Sequence, residues 1–265
     1  MTRGNQWQIV AAWSDAWSQR RFRWTLLATS VAAAVSPVLT PSIFNAVQRR
    51  PGRTPPDPLL PLLGPAQVSA AIFALLISTL ALVGGACIAR PLVLIRGAFA
   101  LVLLFTMRMI AMTLVPLTAP PGEIALHDPI GQLFYPGSTP ETRELFFSGH
   151  TATLVLLIAL VSTRRARVAV AAVATTVGVL LLVQHAHWTV DVLVAPLFAA
   201  LAWRLSGFAA SRVRGADSRT GTRGSNPGID DSSELSVAEQ SSGSSPRFTA
   251  VSPLLTPHQE SPPLG

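Results

Sequence analysis

The chain has 265 residues, of which only 12% are charged and 49% are hydrophobic, and it carries a formal charge of +7. That balance excludes an ordinary soluble globule, and nothing resembles a nucleic-acid-binding module, so the basic excess belongs to membrane topology and lipid contact. A single cysteine, Cys87, excludes a disulfide framework and a thiolate metal site.

All 20 basic residues are Arg; residues 1–207 hold 15 of them against 7 acids, and 208–265 hold 5 against 6. Residues 1–23 form a polar, Trp-dotted segment placed in the cytoplasm, ending in Arg20, Arg21 and Arg23. An apolar run over 24–47 is long enough to cross ~30 Å of hydrocarbon and is assigned as the first span, with Pro37 and Pro41 predicted to kink it. The small-residue run Ala32-Ala33-Ala34 resembles a signal-peptide cleavage sequence, but the apolar stretch continues well past it.

A Pro-rich connector, Pro55 to Pro61, is expected to be non-helical and to lie at the interface. Further spans are predicted over 67–88, 97–117, 146–163, 166–184 and 188–205. The expected fold is thus all-α, a polytopic membrane protein of about six transmembrane helices. A sizeable loop over 118–144 follows the third span. From 208 the composition turns to Ser, Gly, Pro, Thr and charge, predicting a disordered cytoplasmic tail over 208–265 behind a six-span membrane domain over 24–207. Most Arg residues fall on one side when both termini are placed in the cytoplasm, which the positive-inside rule favours. The polar motifs then share the non-cytoplasmic face.

Those motifs are Leu145 to Thr151 and His185 to Asp191, each at the head of an apolar run. Ionisable groups at membrane depth are costly and point to function. His187 and Asp191 are four apart, so one helical face can carry an imidazole and the carboxylate that orients it, leaving the other ring nitrogen as base or nucleophile. His150 is placed to protonate a leaving group. Ser148 and Gly149 offer small side chains and backbone N–H groups for a phosphate oxygen at a helix start. Arg108 and Arg143 are candidate anion clamps. His127, His185 and His258 read as ordinary polar residues. A zinc site from His150, His185, His187 and Asp191 is conceivable by ligand type but has no compact ligand motif, so no metal and no cofactor are expected. A proton relay in a transporter would use similar residues.

At these positions the sequence resembles the sphingomyelin synthase-like branch of the type 2 phosphatidic acid phosphatase superfamily. Leu145-Phe146-Phe147-Ser148-Gly149-His150-Thr151 and His187-Trp188-Thr189-Val190-Asp191-Val192 look like that branch's third and fourth motifs. Arg108 to Thr113 looks like the second, and Pro55 to Pro61 more distantly like the first. Glu144 stands where an Asp is common and Trp188 where a Tyr is, and the soluble helical domain that precedes the spans in some members has no counterpart here. The broader lipid phosphatases fit less well: Arg90-Pro91 lacks the Lys of their first motif, and Leu181 stands where their Arg would be.

The resemblance implies transfer of a phosphorylated headgroup, phosphocholine-like, from a phospholipid donor to a ceramide-like lipid alcohol, with His187 as nucleophile, Asp191 orienting it and His150 protonating the departing diacylglycerol. The alternatives are a lipid phosphate phosphatase with water as acceptor and, from another class, a transporter or scaffold with structural histidines.

Overall fold

A computed structural model describes the backbone of residues 3–127 and 145–220, and the side chains of 6–127 and 145–207. Among the described residues it is all-helical, with seven α-helices: α1 Arg3–Ser18, α2 Arg20–Gln48, α3 Ser69–Cys87, α4 Pro91–Leu114, α5 Gly149–Ile158, α6 Arg164–Val183 and α7 Thr189–Thr220. The second half of the 118–144 loop, with Arg143, lies outside the described residues, as do residues 221–265 of the tail. Helix α7 itself runs past residue 207, where composition places the end of the membrane domain.

Five helices, α2, α3, α4, α6 and the 189–207 part of α7, are long and apolar enough to cross a membrane. Beside their buried faces α3, α4 and α7 keep exposed apolar ones: Leu82, Leu114, Leu193 and Leu197 are each about 70% exposed, a wasteful arrangement in water and a natural one in hydrocarbon. The protein is therefore a multi-pass membrane protein. The expectation of an all-α, polytopic protein holds, and the segment predicted as the fourth span is the one whose helix is short. It contains only the ten-residue helix α5, about 15 Å long. Thr163 caps the next helix, accepting a hydrogen bond from the Ala166 amide, so the chain between Ile158 and Arg164 breaks into a turn instead of continuing the helix.

Contacts nonetheless run α5 alongside the full-length helices. His150 packs edge-on against Phe73 near the start of α3, whereas Leu160 meets Cys87 and Arg90 beyond its other end. Successive helices α2 to α7 alternate in direction: Arg50 after α2 reaches the Thr113 carbonyl at the end of α4, and Arg96 near the start of α4 lies over the Trp203 ring of α7. Small residues set the spacing. A side chain at Gly97 would strike Leu160, and one at Gly178 would strike Val192.

The N-terminal segment is a helix, and Trp13 joins it to the end of α3 by an indole hydrogen bond to the Ile88 carbonyl. Pro37 and Pro41 lie inside α2. The Pro-rich connector is mostly irregular, as expected, but closes in a 3-10 turn at Leu60–Leu62. It pairs with the chain leaving α4 through backbone bonds between Arg53 and Pro116 and between Thr118 and Arg53. Gly52 permits that approach, because a Cβ there would overlap the Leu117 backbone. The two connections cover the end of the bundle that carries His187.

Candidate active site

Three pieces of chain converge at this end. The first is the approach to α5. Phe146 and Phe147 both adopt positive φ, 96° and 51°, which costs on the order of 1–3 kcal/mol for each non-glycine residue. Phe198 of α7 offsets the cost: Phe147 stacks on it with ring centroids 4.1 Å apart, and Phe146 meets it edge-on. The resulting turn delivers Ser148 as the cap of α5, its hydroxyl oxygen accepting from the Thr151 amide.

The Ser148 amide donates to the Asp191 backbone carbonyl at 2.9 Å. This bond fastens the start of α5 to the first turn of α7 and commits the Ser148 amide to structure. Gly149 contributes through its lack of a side chain. A side chain on it would collide with the Arg108 guanidinium, so glycine lets that cation lie against the first turn of α5.

The second piece is the start of α7. Trp188 precedes the helix and Asp191 stands three residues on, reaching back to accept from the Trp188 amide at 3.1 Å, the reciprocal half of a capping box. The same carboxylate oxygen, Oδ2, lies 3.4 Å from His187 Nδ1, while Oδ1 has no hydrogen-bond partner among the described residues. Both side chains are buried. With a proton on Nδ1, His187 donates to the carboxylate and its Nε2 carries the lone pair. The Ser148–Asp191 bond joins the two sequence motifs, and the Arg108 guanidinium lies against the first turn of α5 beside them.

The third piece is the loop cover. The Trp188 indole donates to the Thr118 carbonyl at 2.8 Å. Asp57 in the Pro-rich connector accepts from the Thr189 amide at 2.7 Å and the Thr189 hydroxyl at 2.9 Å. Burial pushes the Asp57 carboxyl upward, but its bonds from Thr189, Leu60 and Leu59 outweigh this and hold it below the usual carboxylate range. Motif reading missed Asp57. Its signal was isolation: it is the sole acid between Asp15 and Glu123.

His185 adopts φ 54°, and its two ring nitrogens face the Pro121 carbonyl at 2.6 Å and the Leu63 carbonyl at 3.0 Å. It staples the two connections together, as a polar structural residue would. Gln184 beside it is fully buried and ties Ser69, Ile124 and Ala125 into the same cover. His127 lies 3.4 Å from Gln67, at the rim. Burial raises Glu123, in the same loop, to a pKa of about 7. Among the described residues no group of three or more His, Cys, Asp or Glu could hold a metal ion, and the direction of the His185 ring removes it from the conceivable zinc set.

A cleft of about 400 Å³ descends from this cluster between α2, α3, α4 and α5. Arg108, Gly149 and His150 stand on its wall with Phe73, and Leu76, Leu80, Leu101 and Phe105 line the remainder. His187 and Asp191 are not on that wall. Their neighbours Trp188 and Thr189 bond to the loop cover.

Residues 144–207 match the family described as PAP2 superfamily C-terminal. The matched stretch holds His150, His187 and Asp191 and about a quarter of the chain; Arg108 and Asp57 lie outside it. No curated protein and no solved structure matches the chain. The family match supports the type 2 phosphatidic acid phosphatase superfamily, and with it an enzyme of the lipid phosphatase or phosphotransferase kind.

Proposed function

We propose that the protein is a membrane lipid phosphotransferase of the sphingomyelin synthase-like kind, moving a phosphorylated headgroup from a glycerophospholipid to a ceramide-like alcohol. The observation that carries this reading is Arg108 and His150 on the wall of an apolar cleft, with the buried His187–Asp191 pair tied to the start of the same helix by the Ser148–Asp191 bond. The phosphate lies beside the Arg108 guanidinium, whose planar fork suits its oxygens, and at the first turn of α5, where the helix dipole favours an anion. The acyl chains follow the cleft toward Leu80 and Leu101.

His187 Nε2 attacks phosphorus, and the bond from phosphorus to the diacylglycerol oxygen breaks as His150 gives that oxygen a proton. Asp191 stabilises the cationic imidazole through Nδ1–H. In the second half His150 takes the proton of the acceptor hydroxyl, the acceptor oxygen attacks phosphorus, and the phosphorus–nitrogen bond breaks to restore His187. An apolar wall beside His150 favours a lipid alcohol over bulk water as acceptor. The excess of Arg at the opposite end of the bundle supports cytoplasmic termini and a site on the non-cytoplasmic face.

The test is purified protein in vesicles with fluorescent ceramide and phosphatidylcholine, run beside phosphatidic acid and a His187→Ala control. Ceramide bearing the phosphorylated headgroup, absent from the control, is the expected product. Release of phosphate from phosphatidic acid without that product would make the enzyme a phosphatase. No turnover of either lipid would refute the enzymatic reading.

A further inference from the structure

We infer that Asp57 is a positioning residue: by capping α7 from the Pro-rich connector, it leaves the Asp191 carboxylate to His187. The inference rests on the roles proposed above for His187 and Asp191. At a helix start the first amides lack partners within the helix, and a carboxylate on the first turn is drawn to them. Asp191 is that carboxylate, and its Oδ2 already accepts from the Trp188 amide. Its contact with His187, at 3.4 Å, is the longer of the two. A further amide drawn to the carboxylate through its unpartnered Oδ1 would turn the group and lengthen the weaker Oδ2 contact first.

The next amide belongs to Thr189, which is buried and therefore costly to leave without an acceptor. Asp57 supplies the acceptor at 2.7 Å and takes the Thr189 hydroxyl at 2.9 Å as well. Asp57 is itself fixed, accepting from the Leu59 and Leu60 amides at 3.0 Å each, and Pro56 and Pro58 on either side restrict the backbone that carries it. The connector thus presents a rigid external cap. Remove it, and the carboxylate on the same turn that can turn to the Thr189 amide is Asp191, which then releases His187.

Full-length protein labelled with ¹⁵N-histidine provides a readout independent of turnover. The hydrogen-bonded Nδ1–H proton of His187 should appear far downfield in the wild type and in Asp57→Asn, which keeps an acceptor for the amide. It should be lost in Asp57→Ala, as in Asp191→Asn. In the vesicle assay Asp57→Ala should lower kcat by about 10²-fold, the scale of a 1 Å misplacement, with donor KM unchanged, and Asp57→Asn should recover most of it.

Thr189→Pro removes the amide at a position where proline suits a helix. In that background Asp57→Ala should change neither readout further. A wild-type His187 resonance in folded Asp57→Ala, an Asp57→Asn variant as damaged as Asp57→Ala, or a full Asp57→Ala effect in the Thr189→Pro background would each overturn the inference. If the wild type turns over no lipid, the proposed function fails while the resonance still decides the role of Asp57.

Discussion

Replacing Gly149 with alanine separates binding from folding in this molecule. Gly149 is the first residue of α5, so alanine there gains helix propensity worth up to about 1 kcal/mol. The new Cβ would fall inside the contact distance of Arg108 Nη1 and lie 3.3 Å from Cζ. Carbon contacts are comfortable at ~3.5–4.0 Å, so the guanidinium must retreat by about 1 Å. It is the far end of a flexible side chain beside a cleft, and the retreat costs little stability. Misplacing a group that clamps the reacting phosphate by 1 Å costs up to ~10²-fold in rate.

Gly149→Ala should therefore unfold at the wild-type temperature or slightly above it while losing about two orders of magnitude in kcat/KM. Thermal unfolding in detergent and lipid turnover in vesicles measure the two quantities on one preparation. Wild-type turnover would refute the placement of Arg108 as the phosphate clamp. A variant that fails to fold would refute the claim that only the guanidinium yields.

Gly97→Val should show the opposite split: overpacking against Leu160 costs ~1–3 kcal/mol in thermal unfolding, yet turnover per folded molecule should stay near wild type. Phe198→Ala removes the rings' support for the positive-φ turn at Phe146 and Phe147. It should lower stability by at least the ~0.5–1.5 kcal/mol of an aromatic pair and reduce turnover more than that loss explains, measured by the same two assays. Glu123 has a folded pKa near 7, above its unfolded value of 4.5. Its contribution is complete below pH 4.5 and lost as pH rises through 7, so wild-type stability should fall across that window. Glu123→Gln should flatten the fall in a pH series of thermal unfolding, and an unchanged slope would refute the burial of the carboxyl. His150→Ala should lose ~10²–10⁴-fold in turnover, the usual contribution of a general acid.

Much of this architecture follows from order along the chain. Apolar runs separated by Arg, Pro and Gly dictate helices at membrane length, because a backbone in hydrocarbon must satisfy its own hydrogen bonds. The spacing of His187 and Asp191 puts them on one face of the turn that opens α7, and a motif at each helix head is enough to suspect a shared face. Composition also separates the Arg-rich membrane part from the polar tail.

Composition could not set the length of α5, since its sequence stays apolar through Val161 while the Thr163 cap and the packing of Leu160 on Cys87 and Gly97 decide where the helix ends. Nor could it reveal Asp57, which lies 132 residues from Thr189, or the collapse of Arg108 onto Gly149, because such contacts are set by how helices cross. The partner of the Ser148 amide was hidden for the same reason: the approach of α7 gives it the Asp191 carbonyl. Local preference and hydrophobic periodicity are properties of the sequence, whereas the competition among buried donors for a few carboxylates exists only once the bundle has closed.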